Sequence, residues 1–517
     1  RKSYNVSATG EGASTDLIPT LNASSVPRTV GGSEGRFITE GLFFRSTYDY
    51  KGKYLLNLTG RYDGASNLGA ANRFGFFPAA GLGWNIYREK FWKVVPKAIS
   101  SLKFRGTYGV NGNIQGLSEF GWQGLFSVGS EYNGGGAIQP SNIPNPNLRW
   151  EESKTFDVGI DMGLLDNRIS LIFDYYRRVT DNLITNVALP TSSGFSTVQT
   201  NFGSLENKGL ELELNIRVLP SRSRFQWSTN FNAAKVATKV LKLPANGIAG
   251  NRQGGVEVWD AATKGYVWRA GFGGGAVFGN PAAFIEGSRI GDMYAYQQLG
   301  IYATDEAAAR APVDISVPVD QVVAANGRKK YGGDVNFADL DGNGTIDTKD
   351  QVYVGNIFPK WTGGFSNYLS YKSLSLAIRT DFTLGHTIWN YAKVVADGQL
   401  QGDLMPTKDF IEKSWKKQGD VTNTPRYLWQ NSQGNITRNS IYYEKGDFLA
   451  LREVTISYNL PADLLRKINI SNIRANLTGS NLYYFTKYSG VHPEDGGSDN
   501  GRYPNPRSIT LGVNISL

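Results

Sequence analysis

An all-β fold, a transmembrane antiparallel β-barrel, is the class that this 517-residue sequence predicts. Three observations carry it. Apolar and polar residues alternate with period two along nearly the whole chain, the pattern of strands with two different environments on their faces. About fourteen segments show it, many of ten or more residues, longer than strands of soluble domains and suited to crossing a bilayer at a tilt. The connections between them alternate between short turns and long loops, as they do when one set lies on each side of a membrane.

Composition fits. Gly accounts for 61 residues, aromatics for 12% and charged residues for 19%, and the Ala/Glu/Lys/Leu-rich stretches of a helical protein are missing. No apolar run approaches twenty residues and the mean hydropathy is -0.33, which argues against transmembrane helices. Barrel strands alternate lipid-facing and lumen-facing residues, so their mean hydropathy stays near that of a soluble protein. With no cysteine there is neither a disulfide framework nor thiol chemistry. The formal charge of +9 is scattered through strands and loops, so no nucleic-acid partner is expected.

Taken in order, "KYLLNLTGRYDG" sets Tyr54, Leu56, Leu58, Gly60 and Tyr62 against Leu55, Asn57, Thr59, Arg61 and Asp63. "LKFRGTYG" opposes Leu102, Phe104, Gly106 and Tyr108 to Lys103, Arg105 and Thr107, and "RISLIFDYY" places Ile169, Leu171, Phe173 and Tyr175 on one face. In "GLELELNIRV", Leu210, Leu212, Leu214 and Ile216 face one way and Glu211, Glu213, Asn215 and Arg217 the other. Lipid on one side and a wet lumen on the other suit that division. The last segment, "SITLGVNISL", alternates without a break. Aromatics crowd strand ends in "FFRSTYDY", "SNYLSY" and "LYYFTKY", where interfacial girdles are expected.

The short connections are 50–53, 165–167, 220–223 and 371–373, with "REKFWKVVPKAISS" and "PADLLRKINI" as longer members of the same side. The long ones are 64–73, 111–149, 181–205, 236–359, 386–446 and 486–506. The alternation holds only if 236–359 is a single outer excursion with "YAYQQLGIY" outside the wall. The whole of 1–517 is then one portion of barrel wall with its outer loops.

Several motifs in sequence order add a resemblance. "GRYDGASNLGAANRFGFFPAAGLGWNI" (60–86), "LKFRGTYGVNGN" (102–113), "NPNLRWEESKTFDVGIDMGLLDNRISLIFDYYRRVTDNLI" (145–184), "NKGLELEL", "GDFLALREVTISYNLP", "SNLYYFTKYSGVHPE" and "YPNPRSITLGVNISL" are similar to the C-terminal half of SusC/RagA-type TonB-dependent outer-membrane transporters. Ala65 and Ala79 stand where that pattern has serines, and Leu517 where an aromatic is common. The resemblance implies a 22-stranded barrel of which about fourteen strands are present here, with the plug domain not in this chain. It implies an integral protein of a Gram-negative outer membrane that imports oligosaccharides or peptides. The partners it implies are an N-terminal barrel and plug portion, a SusD-like surface lipoprotein as lid, and TonB-ExbB-ExbD acting through the plug. An arc of fourteen strands with two open edges in lipid would leave backbone groups unpaired, so strands from an N-terminal portion are expected to complete it.

In the excursion, "DLDGNGTIDTKD" (339–350) has EF-hand-type spacing. Asp339, Asp341 and Asn343 take positions 1, 3 and 5, Gly344 the sharp turn at 6, the Thr345 carbonyl position 7, and Asp347 and Asp350 positions 9 and 12. Hard oxygen donors at this spacing suit Ca²⁺. Asp at position 12 has a shorter reach than the usual Glu. A structural calcium ion that stiffens an outer segment is expected.

No catalytic constellation emerges. His386 and His492 lie far apart in sequence without Ser, Asp or His neighbours at useful spacing, and loop packing is their expected role. Glu151 and Glu152 are adjacent on a strand, so they point to opposite faces and cannot flank one bond. "GFGGGAVFG" (271–279) lacks the Lys and the strand-to-helix context of a phosphate loop. Loop aromatics Trp122, Tyr132, Trp259, Tyr266, Trp268 and Trp429 are candidate substrate contacts, since rings stack on sugars and bind apolar side chains. The alternative reading is a soluble, secreted, calcium-stabilised β-rich binding or adhesion protein, which accounts for the alternation and the calcium loop but not for the alternating loop lengths.

Overall fold

The computed structural model describes residues 2–516 apart from 14–19, 22–23, 97, 221, 249–250, 271–283, 316–329, 398–404, 429–433, 437 and 466–469. The glycine-rich 271–279 and Trp429 therefore lie outside the described residues.

Thirteen strands hydrogen-bond in sequence order into one antiparallel sheet. They are β1 (Thr39–Tyr50), β2 (Tyr54–Ala65), β3 (Phe74–Asn85), β4 (Ile99–Asn113), β5 (Glu151–Leu164), β6 (Ile169–Asp181), β7 (Ser204–Arg217), β8 (Phe225–Lys242), β9 (Trp361–Tyr371), β10 (Leu374–Leu384), β11 (Phe448–Asn459), β12 (Asn472–Thr486) and β13 (Ser508–Ser516). The segment Lys2–Ala13 pairs instead with Ser24–Arg36 in a sheet of its own. By chain contacts the molecule divides into one unit of residues 1–83, 106–156 and 178–204 and a second of 84–105, 157–177 and 205–517.

Register assigns the faces. β9 and β10 pair Leu369 with Leu376, Phe365 with Thr380 and Tyr371 with Leu374 on the outward face, and Ser366 with Arg379 and Gly364 with Asp381 on the inward one. β11 continues the outward column with Ile456 and Tyr458 opposite Leu376 and Leu374. β12 and β13 bring Leu477 against Leu511 and Ile473 against Ile515. Outward apolar side chains such as Leu511, Phe76 and Tyr48 are exposed, as a lipid-facing surface requires. In "SNYLSY" the two aromatics split. Tyr371 faces outward, whereas Tyr368 pairs with Ala377 on the inward face.

Charges mark the outer end of the apolar band. On β7 the outward column Leu210 to Ile216 is preceded by Lys208 and Glu206, and Glu206 holds Lys208 at 2.9 Å and Arg177 of β6 at 2.5 Å. In the first unit Lys154 pairs with Asp181 at 3.1 Å. Salt-bridged charges there sit where the hydrocarbon gives way to polar surroundings.

The outer segments have cores of their own. In the second unit Tyr296, Val335, Phe337 and Ile346 form one buried cluster and Val394, Ile436 and Tyr442 another. The strands Asp292–Tyr296 and Gln298–Ile301 pair with Gln351–Asn356 and Val335–Phe337, not with the thirteen-strand sheet. Asp334, fully buried, organises this region. Its carboxylate accepts both Arg426 Nε (2.8 Å) and Nη2 (3.0 Å), Asn435 Nδ2 (3.0 Å) and the Tyr331 amide (2.8 Å). His386 and His492 are buried, and His386 Nε2 lies 3.0 Å from the Pro493 carbonyl oxygen.

Candidate functional site

Inward-facing polar residues build the first part of the site. In the second unit, Arg105 of β4 reaches Asp161 at 2.7 Å and Asp174 at 2.8 Å, tying three strands. A cavity of about 520 Å³ is lined by Asn215, Arg217, Asn230, Ser366, Tyr368, Arg379 and Glu453. A second, of about 570 Å³, shares Arg379 and Glu453 and adds Asn232, Asp381 and Arg452. A β-bulge between Leu451 and Glu453 turns both Arg452 and Glu453 inward. Arg452 then clamps Asp381 with two nitrogens and reaches Glu494 of the last outer loop at 2.6 Å. A wall of paired charges, amides and hydroxyls keeps water and polar solutes solvated. Glu151, in the first unit, accepts from Asn113 Nδ2 and the Ile184 amide, both at 2.7 Å, as a structural acceptor.

The second part is the acidic loop of 339–350. Asp339, Asp341 and Asp350 bring one carboxylate oxygen each within 4.8 Å of one another. Asp339 accepts the amides of Gly342 and Gly344, both at 2.9 Å, which folds the loop around it. Asp341 Oδ2 accepts the Tyr266 hydroxyl at 2.6 Å. Burial pushes the Asp341 carboxyl up, but the Tyr266 hydroxyl and the Asn343 amide outweigh it and hold it below the usual range. The same bond raises the Tyr266 phenol to about 12. Asp350 is fully buried, and burial, with the charges of Asp341 and Asp347, raises it to about 6 against the two amides it accepts. Three converging carboxylates, one of them buried and driven towards protonation, fit a hard cation of charge two.

The other spacing-based donors are used differently. Asn343 Oδ1 accepts the Thr345 amide at 2.7 Å. Asp347 is outside the group of three; it caps the short turn Thr348–Asp350 in a reciprocal box with Asp350. Both oxygens of Asp350 are engaged by amides, of Leu340 at 2.8 Å and of Asp347 at 2.9 Å. Its short side chain thus closes the loop on itself, where a Glu would reach across it.

Three of the candidate aromatics share one hairpin, Val256–Asp260 with Gly265–Arg269. Trp259 pairs with Tyr266, edge to face at 5.4 Å, and Trp268 lies on the same face opposite Glu257, while Val256 and Val258 are buried on the other. The Arg252 guanidinium covers the Trp268 ring at 3.3 Å and Lys349 lies over Tyr266 at 4.2 Å. In the first unit Tyr132 is 81% exposed on a hairpin, whereas Trp122 packs against the buried cluster of Ala65, Leu68 and Leu148. Trp122 therefore serves the loop core. Its aromatic character gave no hint of this, because Leu148 and Leu68 reach it only through the fold.

Against known proteins, residues 3–317 match the family model described as TonB dependent receptor-like, beta-barrel. TonB-dependent receptor P39 of Formosa agariphila is 30% identical over all of this chain and 48% of its own length. TonB-dependent receptor SusC of Bacteroides thetaiotaomicron is 26% identical over 92% of the chain and 43% of its own length. The chain thus spans about half the length of the curated relatives it matches. The structure of the RagAB peptide transporter superposes with a TM-score of 0.79 over the whole chain and 52% of its own, at 21% identity, a likeness of fold. With the lipid-facing columns, the polar inward face and the matched family model, the chain is an integral outer-membrane β-barrel polypeptide and belongs to the TonB-dependent receptor-like β-barrel family.

Proposed function

We propose that this chain forms wall, lumen surface and outer loops of an active importer of oligosaccharides or peptides across the outer membrane. The observation that carries the reading is the polar, ion-paired inward face in a chain of this receptor family. Such a face offers hydrogen bonds to a solute in transit and no covalent chemistry. The structure that shares this fold is described as the RagAB peptide transporter, which supports peptides among the proposed solutes. The remaining wall strands and a plug come from a portion corresponding to the half of the relatives outside the match. A SusD-like lipoprotein covers the outer loops, and TonB-ExbB-ExbD supplies the energy through the plug. Trp259, Tyr266 and Trp268, with Tyr132, are the aromatic contacts on the outer side.

The test is intact mass and co-purification from detergent-extracted outer membranes. An equimolar lipoprotein, with an assembly that carries the missing strands and plug, is the expected result. A chain that is folded and monodisperse without detergent would sink the proposal.

The acidic loop holds a structural Ca²⁺ through Asp339, Asp341 and Asp350, with Asn343, the Thr345 carbonyl and Asp347 as further oxygen donors. Support comes from the convergence of the three carboxylates. Terbium is a calcium surrogate whose luminescence is sensitised by nearby Tyr266 and Trp259. Emission that calcium displaces at about 10⁻⁴ to 10⁻³ M, and that Asp339→Ala abolishes, is expected. Emission unchanged by Asp339→Ala would show that the ion sits elsewhere.

A further inference from the structure

In the second unit the short-turn end of the wall carries exposed cations beside outward aromatics. Trp84 ends the outward column of β3, and its indole donates to Glu89 at 3.3 Å, which ties the following segment 86–94 to the lipid-facing side. That segment presents Phe91 (53% exposed) between Lys90 and Lys93, and Val94 (87%) directly after Lys93. At the turn between β7 and β8, Arg222 and Arg224 are exposed directly before Phe225, which pairs with Tyr371 on the outward face. At the turn after β9, Lys372 lies over the Tyr371 ring at 5.4 Å. The first unit repeats the motif independently, with Lys51 over Tyr50 at 5.1 Å.

In the outer segments and lumen Arg269, Lys330, Arg426 and Arg452 have carboxylate partners, whereas Arg379 has none among the described residues. Lys90, Lys93, Arg222, Arg224 and Lys372 have none among the described residues. A long basic side chain beside an interfacial ring lays its stem on apolar surface and lifts its charge to the headgroup level. The lipid-facing columns stop at these turns, so the headgroups that meet the cations belong to the leaflet on the short-turn side.

We infer that these turns form a binding rim for anionic glycerophospholipid: Lys90, Lys93, Arg222, Arg224 and Lys372 engage phosphate while Phe91 and Val94 sit among the upper acyl carbons. The occupant follows from charge and from continuity with the lipid-facing wall. The inference rests on the membrane fold and not on import, so either can fail without the other.

The whole extracted protein is reconstituted in nanodiscs of phosphatidylethanolamine with phosphatidylglycerol, and the lipids that stay bound on release are counted by native mass spectrometry. Phosphatidylglycerol is expected in excess over its share of the disc by about fivefold or more. The excess should disappear in the variant with Lys90→Ser, Lys93→Ser, Arg222→Ser, Arg224→Ser and Lys372→Ser, its folding checked by heat-modifiable gel mobility. A second measurement needs no variant: in the wild type the excess should fall as salt is raised. Retention in proportion to disc composition, an excess that survives the five substitutions in a folded barrel, or an excess indifferent to salt would each overturn the inference.

Discussion

Asp334 shows how one side chain can hold an outer segment together. Its buried carboxylate serves four donors from three places in the chain, with Arg426 and Asn435 lying 92 and 101 residues away. Asp334→Ala leaves Arg426 and Asn435 short of an acceptor and should destabilise the segment by about 3 kcal/mol. Hydrogen exchange should speed up at 331–335 and 426–435 while the wall strands keep their protection. Asp499 makes a pH prediction. Burial would raise its carboxyl, but the amides of Gly501, His492 and Val491 and the Tyr488 hydroxyl outweigh burial and hold it below the usual 3.8. A carboxyl lowered by folding adds stability above 3.8 and loses it as pH falls through its folded value. Amides at 488–501 should therefore keep their exchange protection down to about pH 4 and lose it below, whereas Asp499→Asn should flatten that dependence. Such hubs were not legible in the sequence, since their partners are remote. The convergence of Asp339, Asp341 and Asp350 has a local basis, because they lie within twelve consecutive residues, although only the structure shows Asp347 and Asp350 capping each other.

Strands carry their instructions locally, which is why alternation located the wall. Leu212 sits in the middle of the outward column of β7 and Glu213 beside it points inward. Leu212→Arg should cost about 2–4 kcal/mol of barrel stability in a bilayer, whereas Glu213→Arg should change it little. Urea titration of the barrel in liposomes distinguishes them, and a negligible cost for Leu212→Arg would mean that the faces are assigned the wrong way round. Alternation misleads at two points. The bulge at Arg452 sends two consecutive side chains inward, because Asp381 and Glu494 offer a partner there that no local pattern records. Tyr368 looks like a girdle aromatic but lies on the inward face, opposite Ala377.

At the scale of the molecule, β1 and β13 end the sheet order, and both expose outward apolar residues such as Leu42 and Leu511. Unpaired strand edges are not tolerated in hydrocarbon. Residues 1–517 expressed alone should therefore give no heat-modifiable species, while co-expression with the remaining portion should restore one; a stable barrel from this chain by itself would contradict the need for partner strands. The sequence-order sheet also has a kinetic meaning. Most neighbours are joined by a turn or a moderate loop and can zip as hairpins within microseconds, but β8 and β9 are separated by residues 243–360. Closing that span carries about 3 kcal/mol more entropy than a three-residue turn, unless the excursion has already condensed around Tyr296 and Phe337 and brought its ends together. Insertion should then stall as two arcs, β1 to β8 and β9 to β13, that join only once the excursion has folded, and pulse-labelling should find the β8–β9 seam protected last.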